Sequence, residues 1–264
     1  MITHVRNSPP AQSEPRLVRQ EVVKQNITPR YIYVPICHQS KYDHYTLLSF
    51  QRAMYNHTYK ELITKFQVSR EDVDFFANMP FARPYMDNTS LYQPIPFVSR
   101  YDKGDLSDKF FNNAIKSHDT IPRALAFMQR PGSPHSPSTD KDAIDLPQSA
   151  ENPFFVIFCQ IESGVNGYID TAHGGVLAAL FDETLGLCAE SYRVFVSEEG
   201  GHLLTASLEV SYRSPVRTPS AVVIKTWVRR KEGRKWFLEA QLLDQDGVLK
   251  AEAKSLYIGL RSAL

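Results

Sequence analysis

The apolar positions of this chain change character after residue 152, where strand and helix periods follow one another closely. Phe154 to Cys159 is a near-continuous apolar run, the mark of a strand buried on both faces. Residues 173–189 follow the helical period. Leu177, Leu180, Phe181, Thr184, Leu185 and Cys188 recur at the i, i+3, i+4 spacing of a stripe that faces a core. From there strand follows strand: Leu203 to Tyr212 alternates, and Ala221 to Val228, Trp236 to Leu243 and Leu249 to Ile258 continue in the same way. The turns between them are short, Lys231 to Arg234 with Gly233 and Asp244 to Gly247. Tight turns cannot join parallel neighbours, so these strands are antiparallel. One long helix lying on an antiparallel sheet is an α+β arrangement.

The earlier half is less regular. Residues 1–29 read as a flexible arm, polar and proline-bearing. Residues 31–37 read as a strand-like patch that Pro35 confines to an edge. Helical spacing runs over 41–66, and Ser69-Arg-Glu-Asp72 has the form of a helix start. Residues 80–100, dense in proline and aromatics, read as an ordered winding connector that packs on something. Two more helices are expected near 105–117 and 120–130, the second on the spacing of Ile121, Leu125 and Met128. The proline-rich loop 131–150 is the candidate mobile segment. The chain therefore divides into a largely helical and irregular N-terminal extension, 1–150, and an α+β domain, 151–264.

Composition narrows the classes. A formal charge of +1 over 264 residues gives no basic field for nucleic acid. A hydrophobic fraction of 42% suits a soluble globular protein, and no apolar run has the length of a membrane span. Cys37, Cys159 and Cys188 form no CxxC pair and leave one thiol unpaired under any disulfide scheme. A reducing compartment follows, the cytoplasm first. Arg6, Arg16 and Arg19 keep mitochondrial import as the alternative, although Glu14, Glu21 and the prolines depart from a transit-peptide pattern.

The helix at 173–189 also carries candidate chemistry. One face holds Gly175, Ala178, Ala179, Asp182 and Gly186, small residues with an acid among them. A glycine pair at a helix start concentrates backbone N–H donors and the positive end of the helix dipole where a carbonyl oxygen gains charge. Glu183 lies about 100° round the helix from Asp182 and is expected at the surface. The eight histidines show no metal spacing and no GxSxG elbow appears, so neither a metal nor an α/β-hydrolase nucleophile is expected. No cofactor is expected either.

The pieces His173-Gly174-Gly175 with Asp182 and Gly186, Leu204 to Pro215, Glu232 to Trp236 and Glu252 to Tyr257 share an order and spacing. Over roughly the last 110 residues they resemble the hotdog-fold acyl-CoA thioesterases of the phenylacetyl-CoA/THEM type. The resemblance implies a hotdog fold, a long central helix wrapped by an antiparallel sheet, and hydrolysis of acyl thioesters carried by coenzyme A or by a carrier protein. It implies Asp182 as general base or nucleophile, the Gly174 N–H as carbonyl donor, His173 as the residue that positions that loop, and Thr205 as the hydroxyl that orients water or carboxylate. Gly175 would line the substrate, and Arg213, Arg234 and Lys235 would meet the coenzyme A phosphates. A homodimer or homotetramer is implied, with the strand bearing Thr205 reaching the site from the partner subunit. Asp119 to Pro122 looks like the approach helix of some members.

Where many relatives place Asn or Gln, six residues before the histidine, this chain has Gly167, with Asn166 beside it. The plain alternatives are a solvated Asp182, a His173 that only caps the helix, a structural Thr205 and a solvated basic hairpin. The rival from another class is a non-catalytic hotdog module that binds an acyl ligand or a partner protein.

Overall fold

The computed structural model of the protein describes residues 58–131, 152–197 and 201–260. The expected arm 1–29, the edge patch 31–37, most of the helical stretch 41–66 and almost all of the loop 131–150 lie outside the described residues.

The domain's elements are those that the periodicity predicts. Strand β3 (Phe155–Ile161) leads through a small hairpin, β4 (Asn166–Tyr168) and β5 (Thr171–Ala172), into a 22-residue helix, Gly174–Phe195. Strands β6 (Leu203–Tyr212), β7 (Ser220–Glu232), β8 (Lys235–Asp244) and β9 (Leu249–Gly259) follow. Gly233 at φ +54 closes the β7–β8 turn, a conformation that favours glycine.

Three short helices precede the domain: α1 (Tyr59–Lys65), α2 (Arg70–Ala77) and α3 (Arg83–Met86). The long helix is therefore α4. A capping box starts α1, Thr58 accepting from the Glu61 N–H and Glu61 accepting from the Thr58 N–H. Ser69 caps α2 by accepting from the Asp72 N–H, as the motif predicts.

Two more strands, β1 (Tyr92–Ile95) and β2 (Ala124–Gln129), complete one antiparallel sheet of order β1-β2-β3-β7-β8-β9-β6. The helix expected over 120–130 is thus a strand. Its Leu125 and Phe127 pack with Phe158 on one side of the sheet, and its Ala126 and Met128 pack on the side that holds α4. A strand buried on both faces shows no polar alternation, and its apolar residues then fit a helical template as well. The stretch 105–117 contains only a short π-helical turn, Phe110–Ala114. Asp119 to Pro122 is likewise a turn and not an approach helix: the Asp119 carbonyl accepts from the Gly164 N–H at 2.6 Å and the Thr120 carbonyl from the Glu162 N–H at 2.7 Å.

Helix α4 lies across β3, β6, β7, β8 and β9 and buries Leu180, Phe181, Leu185, Cys188 and Tyr192 almost completely. Its opposite side is covered too. Leu62 and Tyr59 of α1 join the same core, and the buried Tyr59 hydroxyl meets Ser191 at 2.7 Å. Across the sheet, α2 and α3 cover the outer face of β2, β3 and β7 with Phe76, Tyr85 and their neighbours. The outer face of the β8-β9-β6 half carries instead a ladder of charges.

Candidate active site

The start of α4 is held from three directions. His173 is its N-cap, and the ring Nδ1 accepts from the Gly175 N–H at 2.9 Å. The His173 N–H in turn donates to the Val165 carbonyl at 2.8 Å. Tyr212, at the end of β6, donates its hydroxyl to the Gly174 carbonyl at 2.7 Å. With Gly175 engaged by the ring, the Gly174 N–H is the first donor of the helix without a partner among the described residues. A cavity of about 510 Å³ opens there, lined by His173, Gly174, Leu177, Tyr168, Tyr212, Arg213 and Val216.

Gly167 stands against this helix start. A Cβ built at residue 167 would lie 3.0–3.3 Å from the ring and backbone of His173. An amide side chain at that position would require His173 to give way by a few tenths of an ångström. Asn166 does not replace it, because its carbonyl oxygen accepts from the Thr218 hydroxyl.

Asp182 sits eight residues into α4, about 12 Å along the helix axis from Gly174 at 1.5 Å per residue. Its Oδ1 accepts from the Thr205 hydroxyl at 2.9 Å and lies 3.1 Å from the Tyr257 hydroxyl. Tyr257 also donates to the Asp182 main-chain carbonyl at 2.6 Å. Thr205 on β6 and Tyr257 on β9 are directly paired across the sheet, which puts both hydroxyls on one face. Gly186, one turn after Asp182, faces the same ring: a Cβ there would stand 3.4 Å from the phenol oxygen, at van der Waals contact. The Asp182 Oδ2 has no partner among the described residues.

Thr205 meets Asp182 within a single chain. What one chain separates is Asp182 from the Gly174 N–H. The expected phosphate cluster is divided in the same way. Arg213 lies at the Gly174 end, paired with Glu252 at 2.8 Å. Arg234 lies at the Asp182 end, donating to the Gly259 carbonyl at 2.8 Å beside the exposed Lys235. Eight residues of extended β6 and its end, about 26 Å, keep the two apart.

Glu183 is not a surface acid. Its carboxylate accepts from Ser99, which belongs to a 3-10 turn, Val98–Arg100, laid over α4. Burial pushes the Glu183 carboxyl up to about 7; the Ser99 hydrogen bond and Lys103 oppose that shift, while Asp108 and Asp182 add to it. No period in the sequence marks this contact, because the partner lies 84 residues away. Tyr257 escaped sequence reading for a different reason, since a tyrosine in a strand is ordinary β-composition.

A sheet wrapped around one long helix, with a glycine pair at the helix start and an acid at mid-helix, defines the hotdog fold. Residues 170–251 match the family model described as thioesterase superfamily. Acyl-coenzyme A thioesterase THEM4 of Rattus norvegicus is 32% identical over 107 residues, 39% of this chain and 43% of that protein. Its counterpart in Mus musculus is 36% identical over 98 residues, 37% of this chain and 38% of that protein. An uncharacterized mitochondrial membrane protein of Saccharomyces cerevisiae, FMP10, is 32% identical over 92 residues, 34% and 36% of the two chains. A hypothetical thioesterase from Streptococcus pneumoniae, solved with coenzyme A, is 21% identical with a TM-score of 0.36, covering 41% of this chain and 80% of that one. The chain spans less than half the length of these curated relatives. The resemblance read from the motifs is borne out over this segment. The matched residues include His173, Gly174, Asp182, Thr205, Arg213, Arg234 and Lys235, and stop short of Tyr257.

Proposed function

We propose that this domain hydrolyses acyl thioesters, with Asp182 as the base that activates water. The observation that carries the reading is the environment of that carboxylate: two hydroxyls engage Oδ1, and Oδ2 is left to take a proton. Water loses its proton to Oδ2 as its oxygen attacks the carbonyl carbon. The developing oxyanion is met by the Gly174 N–H at the positive end of α4. The C–S bond then breaks, the thiolate takes up the proton, and a carboxylic acid and a thiol leave.

One chain does not bring these groups together, and β6 supplies the reason to expect two. Among the described residues this ten-residue strand pairs only with β9, so its other edge offers a row of free backbone donors and acceptors. Antiparallel pairing of two copies along that edge sets the Tyr212 end of one beside the Thr205 end of the other. Gly174 of the partner subunit then faces Asp182, and Arg213 of the partner subunit approaches Arg234 and Lys235. The working unit is a homodimer, alone or within a tetramer. The three cations favour acyl-coenzyme A over a carrier-protein substrate, since guanidinium groups bind phosphate bidentately. The compartment is a reducing one, cytoplasm or mitochondrion, and the name of the yeast relative weighs towards the second. No helix among the described residues is long and apolar enough to cross a membrane.

The rival reading, a non-catalytic acyl-binding module, rests on Gly167 in the place of the usual amide. Thiol release from a panel of acyl-coenzyme A substrates separates the two. We expect wild-type turnover and a loss of about 100-fold or more in kcat for Asp182→Asn. Turnover that survives Asp182→Asn removes the assignment, and binding without turnover in the wild type favours the rival.

A further inference from the structure

Tyr257 lies beyond the matched segment, yet it touches Asp182 twice. Resting on the reading of Asp182 as the base, we propose that Tyr257 is a positioning residue whose single phenolic proton, shared between the Asp182 carbonyl and Oδ1, fixes the carboxylate so that Oδ2 is the oxygen presented to water.

Three features support this. The ring is buried at 3% exposure, and its hydroxyl lies within hydrogen-bond distance of both the Asp182 carbonyl and Oδ1. A phenylalanine would fill the same space, so packing alone does not call for the hydroxyl, and a buried hydroxyl is costly unless it is bonded. Thr205, itself beside the phenol, delivers a second hydroxyl to the same oxygen from the neighbouring strand. With both donors on Oδ1, Oδ2 is the oxygen left for water.

The phenol stays a donor at any working pH, because burial, with the Asp182 charge adding to it, raises its pKa far above the usual tyrosine range. The groups facing the carboxylate are Tyr257 from β9, Thr205 from β6 and Glu183 beside it on α4.

The test is Tyr257→Phe in the full chain, with Asp182→Asn as the reference for loss of the base. We expect kcat to fall about 10-fold with KM unchanged within about twofold, as for loss of one hydrogen bond to a charged group. A carbon-13 NMR spectrum at one fixed pH shows the Asp182 carboxyl resonance displaced in the variant, and it reads the contact whether or not the protein turns over. An inactive wild type would defeat the thioesterase reading and leave this resonance to decide the tyrosine. An unchanged Asp182 carboxyl resonance in Tyr257→Phe, with unchanged kcat wherever turnover is measured, overturns the proposal.

Discussion

The two ends of the site hold opposite halves of one chemistry. At the start of α4 there is an unpartnered N–H, a capped helix end and a cavity whose described lining holds no carboxylate. About 12 Å further along the same helix there is a carboxylate with two hydroxyls. In the proposed reaction the helix start receives charge and Asp182 takes a proton, so neither end serves alone. A rigid helix that keeps the halves apart in one chain gives the free edge of β6 its meaning.

The comparison can be broken at either end. The largest effect is expected from Asp182→Asn, already given. Gly174→Pro attacks the other end: it removes the N–H, and its Cβ would stand 3.3 Å from the Tyr212 hydroxyl, so that side chain must shift slightly. Proline suits the first helical position, and His173 before it already has the extended ψ of 130 that a following proline requires. We expect a loss of about 100-fold in kcat, the usual worth of one oxyanion donor, with the far-UV helix signal retained. A variant that keeps wild-type kcat would show that the helix start is only structural.

A smaller effect comes from Glu183, the neighbour of Asp182 on the covered side of the helix. Its folded pKa of about 7 lies above its unfolded value. Below about pH 4.5 both states hold the proton and the group costs nothing. As pH rises to about 7 the unfolded chain releases it first, so stability falls, and above that the cost is constant. Glu183→Gln keeps a partner for Ser99 and removes the charge. Denaturant melts should show a gain of about 1–3 kcal/mol at pH 8 that vanishes near pH 4, with activity within about twofold. A gain that is equal at both pH values would remove the burial argument.

How much of this was legible follows from which residues report their surroundings. β6, β8 and β9 could be read because they alternate along their length, α4 because its apolar stripe keeps the helical period, and the tight turns fixed the sense of the strands. β2 could not, since burial on both faces erases the alternation that separates strand from helix. Asp182 stood out among small residues. Glu183 was placed correctly round the helix and wrongly in solvent, because the segment that covers it, at Ser99, is remote in sequence. The pairing of β6 with β9 puts Thr205 beside Asp182 in its own chain, a contact that no local pattern in the sequence marks. Gly167 read as a lost amide, and it proves to be packed tightly against His173.

The central claim is that the base and the oxyanion donor of one site come from different chains. Mixing two inactive variants, Asp182→Asn and Gly174→Pro, after dissociation and reassociation tests it directly. In a mixed dimer one site then combines two intact halves and the other two damaged ones. With random exchange, about half the dimers are mixed and each holds one working site of two, so about one quarter of wild-type activity returns. If base and donor worked within one chain, every site in the mixture would carry a lesion, and activity would stay at the level of the separate variants.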